Sequence, residues 1–232
     1  MSYTEEDARQ DAYYEELQRL FREDLKDQAK NAVKSYLGRY GDAVDRRILA
    51  SLSESRTLLK AQHFGPALCT AAIAIELMIR FMLVRPLIQG AFLSDEWADI
   101  LTTRIATGQT ARDRELVPAV LRQWGLDVAK VRGAVSTVAV WEFTVNRLFP
   151  ARHNSVHRYD PVPEDVAAVG VDCAETFRYE IVGSVARQIG FTLEATGKWS
   201  NIFHPEKIQF GMVVQPEWTE EFEPADPFVA VR

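Results

Sequence analysis

Apolar positions along this 232-residue chain recur at helical rather than strand spacing over most of its length. Tyr13, Leu17, Phe21, Leu25, Ala29, Ala32 and Tyr36 fall close to one stripe, because residues three or four positions apart share a helix face. Neither Gly nor Pro interrupts residues 5–37, and Gly38 then predicts a helix end. Gly41 restarts the pattern, and Val44, Ile48, Leu52 and Leu59 form a second stripe that finishes near His63. Pro66 suits a first helical turn, where its missing N–H would have no partner anyway. It opens an apolar helix that Arg85-Pro86 should end, since the residue before a proline avoids the α region.

Farther on, Ser94-Asp95-Glu96 reads as a helix N-terminus, with acids at the positive end of the dipole. Helical patterns follow at about 94–107, 111–124 and 127–149, punctuated by Gly108 and Gly125. Pro150 marks a break. A long helix is then predicted from Pro163 towards Ala195, with Val166, Val169, Cys173, Phe177, Ile181 and Val185 on one stripe. Residues 208–214 read as a short strand among Pro205, Pro216, Pro224 and Pro227. The expected organisation is all-α: an N-terminal helix (1–40), a helical domain (41–197) and an irregular C-terminal extension (198–232).

Residues 67–84 need a membrane test. They are nearly all apolar, but fall just short of the roughly 20 residues of a typical span and carry Glu76 and Arg80. No basic cluster flanks them to set a topology. The pattern fits the central helix of a soluble bundle, with Glu76 and Arg80, at i and i+4, neutralising each other. No membrane association is expected. Two cysteines, Cys69 and Cys173, are too few for a disulfide framework and form no CxxC pair, so both read as buried thiols. The acidic N-terminus lacks the apolar segment of a secretory signal, and a reducing cytoplasm is the expected compartment. Neither phosphate-binding glycine signature occurs, and no cofactor is expected.

Lys and Arg total 27 against 33 Asp and Glu, a net charge of −6 that excludes a broad DNA-coating surface. The charge is unevenly spread. Residues 1–30 hold 5 basic and 9 acidic side chains, and residues 201–232 hold 2 and 6. The middle, with 20 basic and 18 acidic residues, is mildly basic and can still hold an RNA-binding cleft.

That middle contains the candidate chemistry. His153 and His157 lie close together, preceded by Arg152, separated by Asn154-Ser155-Val156, and followed by Arg158 and Tyr159. Arg147 lies five residues before Arg152. On a helix the two imidazoles would share a face, as in zinc hydrolases, but zinc needs three or four ligands and only Asp160 is close in sequence. No metal is therefore assigned. The basic side chains can also simply cap carbonyls at a helix end. Alternatively, they can act on phosphate. An imidazole moves protons near neutral pH, and a guanidinium stabilises the charge that grows on a reacting phosphate. With a ribose 2′-hydroxyl as nucleophile, RNA cleavage then needs no metal.

Arg152-His153-Asn154-Ser155-Val156-His157, with a polar residue after the Arg and four residues before the final His, resembles the motif of the HEPN superfamily. That superfamily comprises α-helical ribonucleases and RNA-binding domains. Arg56 with His63 and Arg147 with His153 also satisfy the spacing, but Thr57 and Leu148 follow those arginines. Residues 64–80, then Arg85-Pro86 and Gly90-Ala91-Phe92-Leu93, are similar to an uncharacterised HEPN branch. The resemblance spans about 45–190 and implies a HEPN-like bundle with endoribonuclease activity, as a toxin or phage-defence effector. It implies a homodimer with a composite site, in which His157 is the general acid or base and Arg152 stabilises the transition state. His153, Asn154, Arg147 and Arg158 would bind substrate, and Glu76 and Arg80 would pair in the core or orient the site. His157-Arg158-Tyr159 extends the match to toxins whose tyrosine is adenylylated by an antitoxin partner; otherwise Tyr159 is a packed corner residue. A non-catalytic module binding RNA, a nucleotide or a protein is the alternative.

Overall fold

The computed structural model describes residues 5–86, 88, 113–193 and 199–201. The helix predicted at 94–107 and the strand at 208–214, with nearly all of the C-terminal extension, lie outside the described residues. Within them the chain is all-α apart from one small hairpin.

Helix α1 (Glu5–Lys60) is continuous, so the break predicted at Gly38 and Gly41 does not occur. A glycine inside a helix costs about 1 kcal/mol relative to alanine. Here that cost is outweighed by burial of Val33, Tyr36, Leu37, Val44, Ile48 and Leu52, since a fully buried aliphatic side chain returns about 1.5–3 kcal/mol. The outer part of α1 differs. Residues 9–20 are exposed on every side, Tyr13, Tyr14, Leu17 and Leu20 included.

Helix α2 (Phe64–Leu77) continues through a π-helical stretch (Met78–Val84) and packs against α1 and, on its other flank, against α6 (Glu164–Thr176). The segment Phe64–Val84 is long and apolar enough to cross a membrane, yet most of it is buried against protein here. Helical geometry persists through Pro86, past the predicted stop. The approach of α6 is set by Gly170: a Cβ there would stand 2.7 Å from Leu68 and 3.3 Å from Leu148.

Helix α3 (Asp113–Gln123) ends at Gly125, whose φ of 66° suits glycine. The helix predicted over 127–149 forms only in its second half. Asp127 instead caps a 3₁₀ turn (Val128–Lys130) by accepting from the Ala129 N–H at 3.2 Å. The following loop is clamped from α6 by Asp172, which accepts from Val135 N (3.1 Å), Ser136 N (2.9 Å) and Ser136 Oγ (2.6 Å). Helix α4 (Val140–Phe143) then runs through a π stretch (Thr144–Leu148) into α5 (Phe149–Arg158). Pro150 therefore sits within a helix rather than breaking it; the wider π turn just before it relieves the crowding a proline ring imposes.

From α6 the chain continues through a π stretch (Phe177–Val182) into α7 (Gly183–Gln188). The predicted run to Ala195 stops there. Gly190, at φ 86°, turns the chain into strand β1 (Phe191–Leu193), which pairs antiparallel with β2 (Trp199–Asn201). Deep in the core, Arg178 donates to Asp45 through Nε (2.9 Å) and Nη2 (2.6 Å), and both residues are fully buried. This pair ties α1 to the stretch that follows α6.

Candidate functional site

The motif helix α5 is held against α2. A Cβ at Gly65 would come 3.2 Å from Ser155 Oγ, so the missing side chain permits that approach. Farther along α2, Glu76 accepts a hydrogen bond from Arg152 Nη1 and forms an ion pair with it. Both groups are half-buried. Burial pushes the Glu76 carboxyl above its ordinary range, while the charge and hydrogen bond of Arg152 pull it back down. The same guanidinium influences Cys69: burial raises that thiol, and Arg152 opposes the rise.

This arrangement replaces the Glu76–Arg80 pair expected from helix spacing. The Glu76 carboxylate turns to a residue 76 positions away, and the Arg80 guanidinium carbon stands 5.2 Å from the Phe81 ring centre. Glu76 thus pairs across to α5 rather than within α2.

His153 and His157 form an exposed pair on α5, with ring centres 4.7 Å apart and planes tilted by 51°. His157 and Arg158 occupy the last turn, where the helix dipole favours positive charge. Arg147 and Arg158 are exposed, and Arg147 borders a shallow depression with Glu142, Phe143 and Asn146. Asn154 is half-buried, and its carbonyl accepts the Asp160 N–H at 3.4 Å as the helix closes.

Arg152 and His157 do not converge. Five residues on one helix stand about 140° apart around the axis and about 7.5 Å along it. One turns into the α2 interface and the other to solvent. Tyr159 follows in a left-handed conformation (φ 57°, ψ 27°) and is 90% exposed, so it does not pack as a corner anchor. Its hydroxyl is open to a modifying enzyme.

A cleft of about 850 Å³ lies elsewhere, between the 125–135 loop and the α6–α7 region. Leu126, Arg132, Val135, Glu175 and Tyr179 line it, and none of Arg152, His153 and His157 does. Arg56, from one of the competing motif matches, is committed to an ion pair with Glu175. Cys173 is buried, and its thiol is pushed up to about 12, first by burial and then by the charge of Asp172; it is no nucleophile at neutral pH. Among the described residues no group of three or more His, Cys, Asp or Glu is placed to hold a metal.

The Asp45–Arg178 pair and the Asp172 clamp escape a reading of the sequence, because both join residues tens of positions apart with no motif between them. Comparison with family models, curated proteins and solved structures gives no match.

Proposed function

We propose that this chain is a metal-independent endoribonuclease of the HEPN type, acting as a cytoplasmic homodimer in toxin–antitoxin or phage-defence systems. The observation that carries this reading is the division of α5: Glu76 fixes the Arg152 guanidinium on one side, while His157 is open to solvent on the other. A single helix so arranged cannot close on one phosphate. Two copies facing each other can, with the imidazole of one opposite the guanidinium of the other. His157 then removes the ribose 2′-hydroxyl proton, or delivers one to the departing 5′-oxygen, and the 2′-oxygen attacks phosphorus. Arg152 stabilises the negative charge that builds on the phosphate oxygens, and His153, Asn154, Arg147 and Arg158 guide the backbone.

The test is cleavage of cellular RNA by purified protein in excess chelator. Products ending in 2′,3′-cyclic phosphate are expected, with activity lost in His157→Ala at unchanged helical content. Activity that survives in His157→Ala, or none in the parent across varied RNAs, overturns the reading.

A second reading, a non-catalytic module binding RNA, a nucleotide or a protein partner, is favoured by the same ion pair, since Glu76 neutralises Arg152. It predicts RNA retention in a filter assay without turnover.

A further inference from the structure

A helix that carries two histidines one turn apart, both open to solvent, sets two imidazole rings side by side on one face. Whether they can hold one ion is a matter of geometry. Imidazole nitrogens bind zinc at about 2.0–2.1 Å, and at a near-tetrahedral angle this places the two ring centres roughly 5 Å apart. The centres of His153 and His157 stand 4.7 Å apart, with the planes tilted by 51° rather than stacked flat. The ring separation is thus close to that of a chelating pair, and rotation of the exposed rings can bring one nitrogen of each to a common ion.

The surroundings agree. His157 lies in the final turn of α5, where the carbonyl end of the helix favours a cation. The guanidinium of Arg152, on the same helix, is paired with Glu76 and so repels an incoming ion less. Arg158, next to His157 in the chain, is exposed and screened by solvent.

We propose that His153 and His157 form a two-nitrogen site for a divalent transition metal of the zinc, nickel or copper class, its other positions taken by water. Imidazole suits these ions and not magnesium or calcium, which prefer oxygen. No third protein ligand is needed for a chelate of this kind, which binds reversibly rather than as a structural centre. The consequence for the site rests on the nuclease reading above. A metal on His157 takes up the lone pair that would accept the 2′-hydroxyl proton, so zinc acts as an inhibitor of cleavage, not its cofactor.

The experiment is calorimetric titration of zinc chloride into full-length protein lacking any histidine tag. A saturable binding heat is expected in the parent and in His63→Ala. It should be lost in His153→Ala and in His157→Ala, with circular dichroism unchanged because both side chains are exposed. Magnesium chloride should give no heat. Absence of binding in the parent, or equal binding in the parent and in the His153→Ala/His157→Ala double variant, overturns the site. The titration does not depend on RNA, so an inactive protein that binds zinc refutes the nuclease reading alone. If cleavage occurs, zinc should suppress it and excess chelator restore it; cleavage undiminished in zinc-saturated protein overturns the inhibitory role.

Discussion

Two arginine–carboxylate pairs hold this fold together in unlike ways. Asp45 and Arg178 meet through two hydrogen bonds of 2.9 and 2.6 Å with no solvent contact at all. Glu76 and Arg152 meet at a helix interface that water still reaches. In the first, both side chains are closed off from water, and the pair fixes how α1 sits on the segment after α6. In the second, Glu76 holds a guanidinium side chain that stays partly exposed. The same chemistry is structural when dry and poised when half-wet.

Four outcomes test this contrast. The largest is expected for Asp45→Ala, which takes a carboxylate and two hydrogen bonds away from a fully buried guanidinium. Urea unfolding should show a loss of about 3–5 kcal/mol, or no folded protein at all. A loss below the level of a surface pair would erase the distinction. Adding Arg178→Met to that variant should recover part of the loss, because an apolar side chain of similar length needs no counter-charge. Glu76→Ala comes next, at about 0–1 kcal/mol, since solvent screens the pair it removes. That small loss should shrink further in high salt, whereas the effect of Asp45→Ala should barely change.

The pH dependence of Glu76 is smaller still. Burial is the largest influence on its carboxyl and raises it, so the folded state holds this proton more tightly than the unfolded chain does. Its contribution to stability is therefore fully present in acid and declines as pH rises through the window just above the ordinary glutamate range. Thermal unfolding of the parent minus that of Glu76→Gln should slope downward across that window; an upward slope would mean that Arg152, not burial, dominates. Smallest of all is Tyr159→Gly. Glycine relieves the left-handed backbone and loses more freedom on folding, and the exposed ring gives up little packing, so a net change of a few tenths of a kcal/mol is expected. A loss of several kcal/mol would restore Tyr159 as a packed anchor.

The all-α architecture was legible because the apolar stripes of α1, α2 and α6 follow the helical period, and α2 reads as a core helix from its composition alone. Breaks were read less well. Gly38, Gly41, Pro86 and Pro150 all lie in helical backbone, since local preferences of about 1–3 kcal/mol yield to buried contacts or to a locally widened turn. The reverse error occurred at 127–139 and after Gln188, where Asp127, the Asp172 clamp and Gly190 impose non-helical paths on helix-compatible residues. The histidine pair was visible as i,i+4 spacing and stands on one face. The partner of Glu76 was not visible. Arg80 lies one turn away on the same helix, and only the packing of α5 on α2 offers Arg152 instead.

The uninterrupted course of α1 also has a hydrodynamic consequence. Residues 9–20 are exposed on every side, and at about 1.5 Å per residue they make a helical segment of roughly 18 Å with no apolar face covered. A solvated helical segment adds friction out of proportion to its mass. In gel filtration a single 26.3 kDa chain should therefore elute ahead of compact standards of equal mass, and early elution alone is no measure of how many copies travel together.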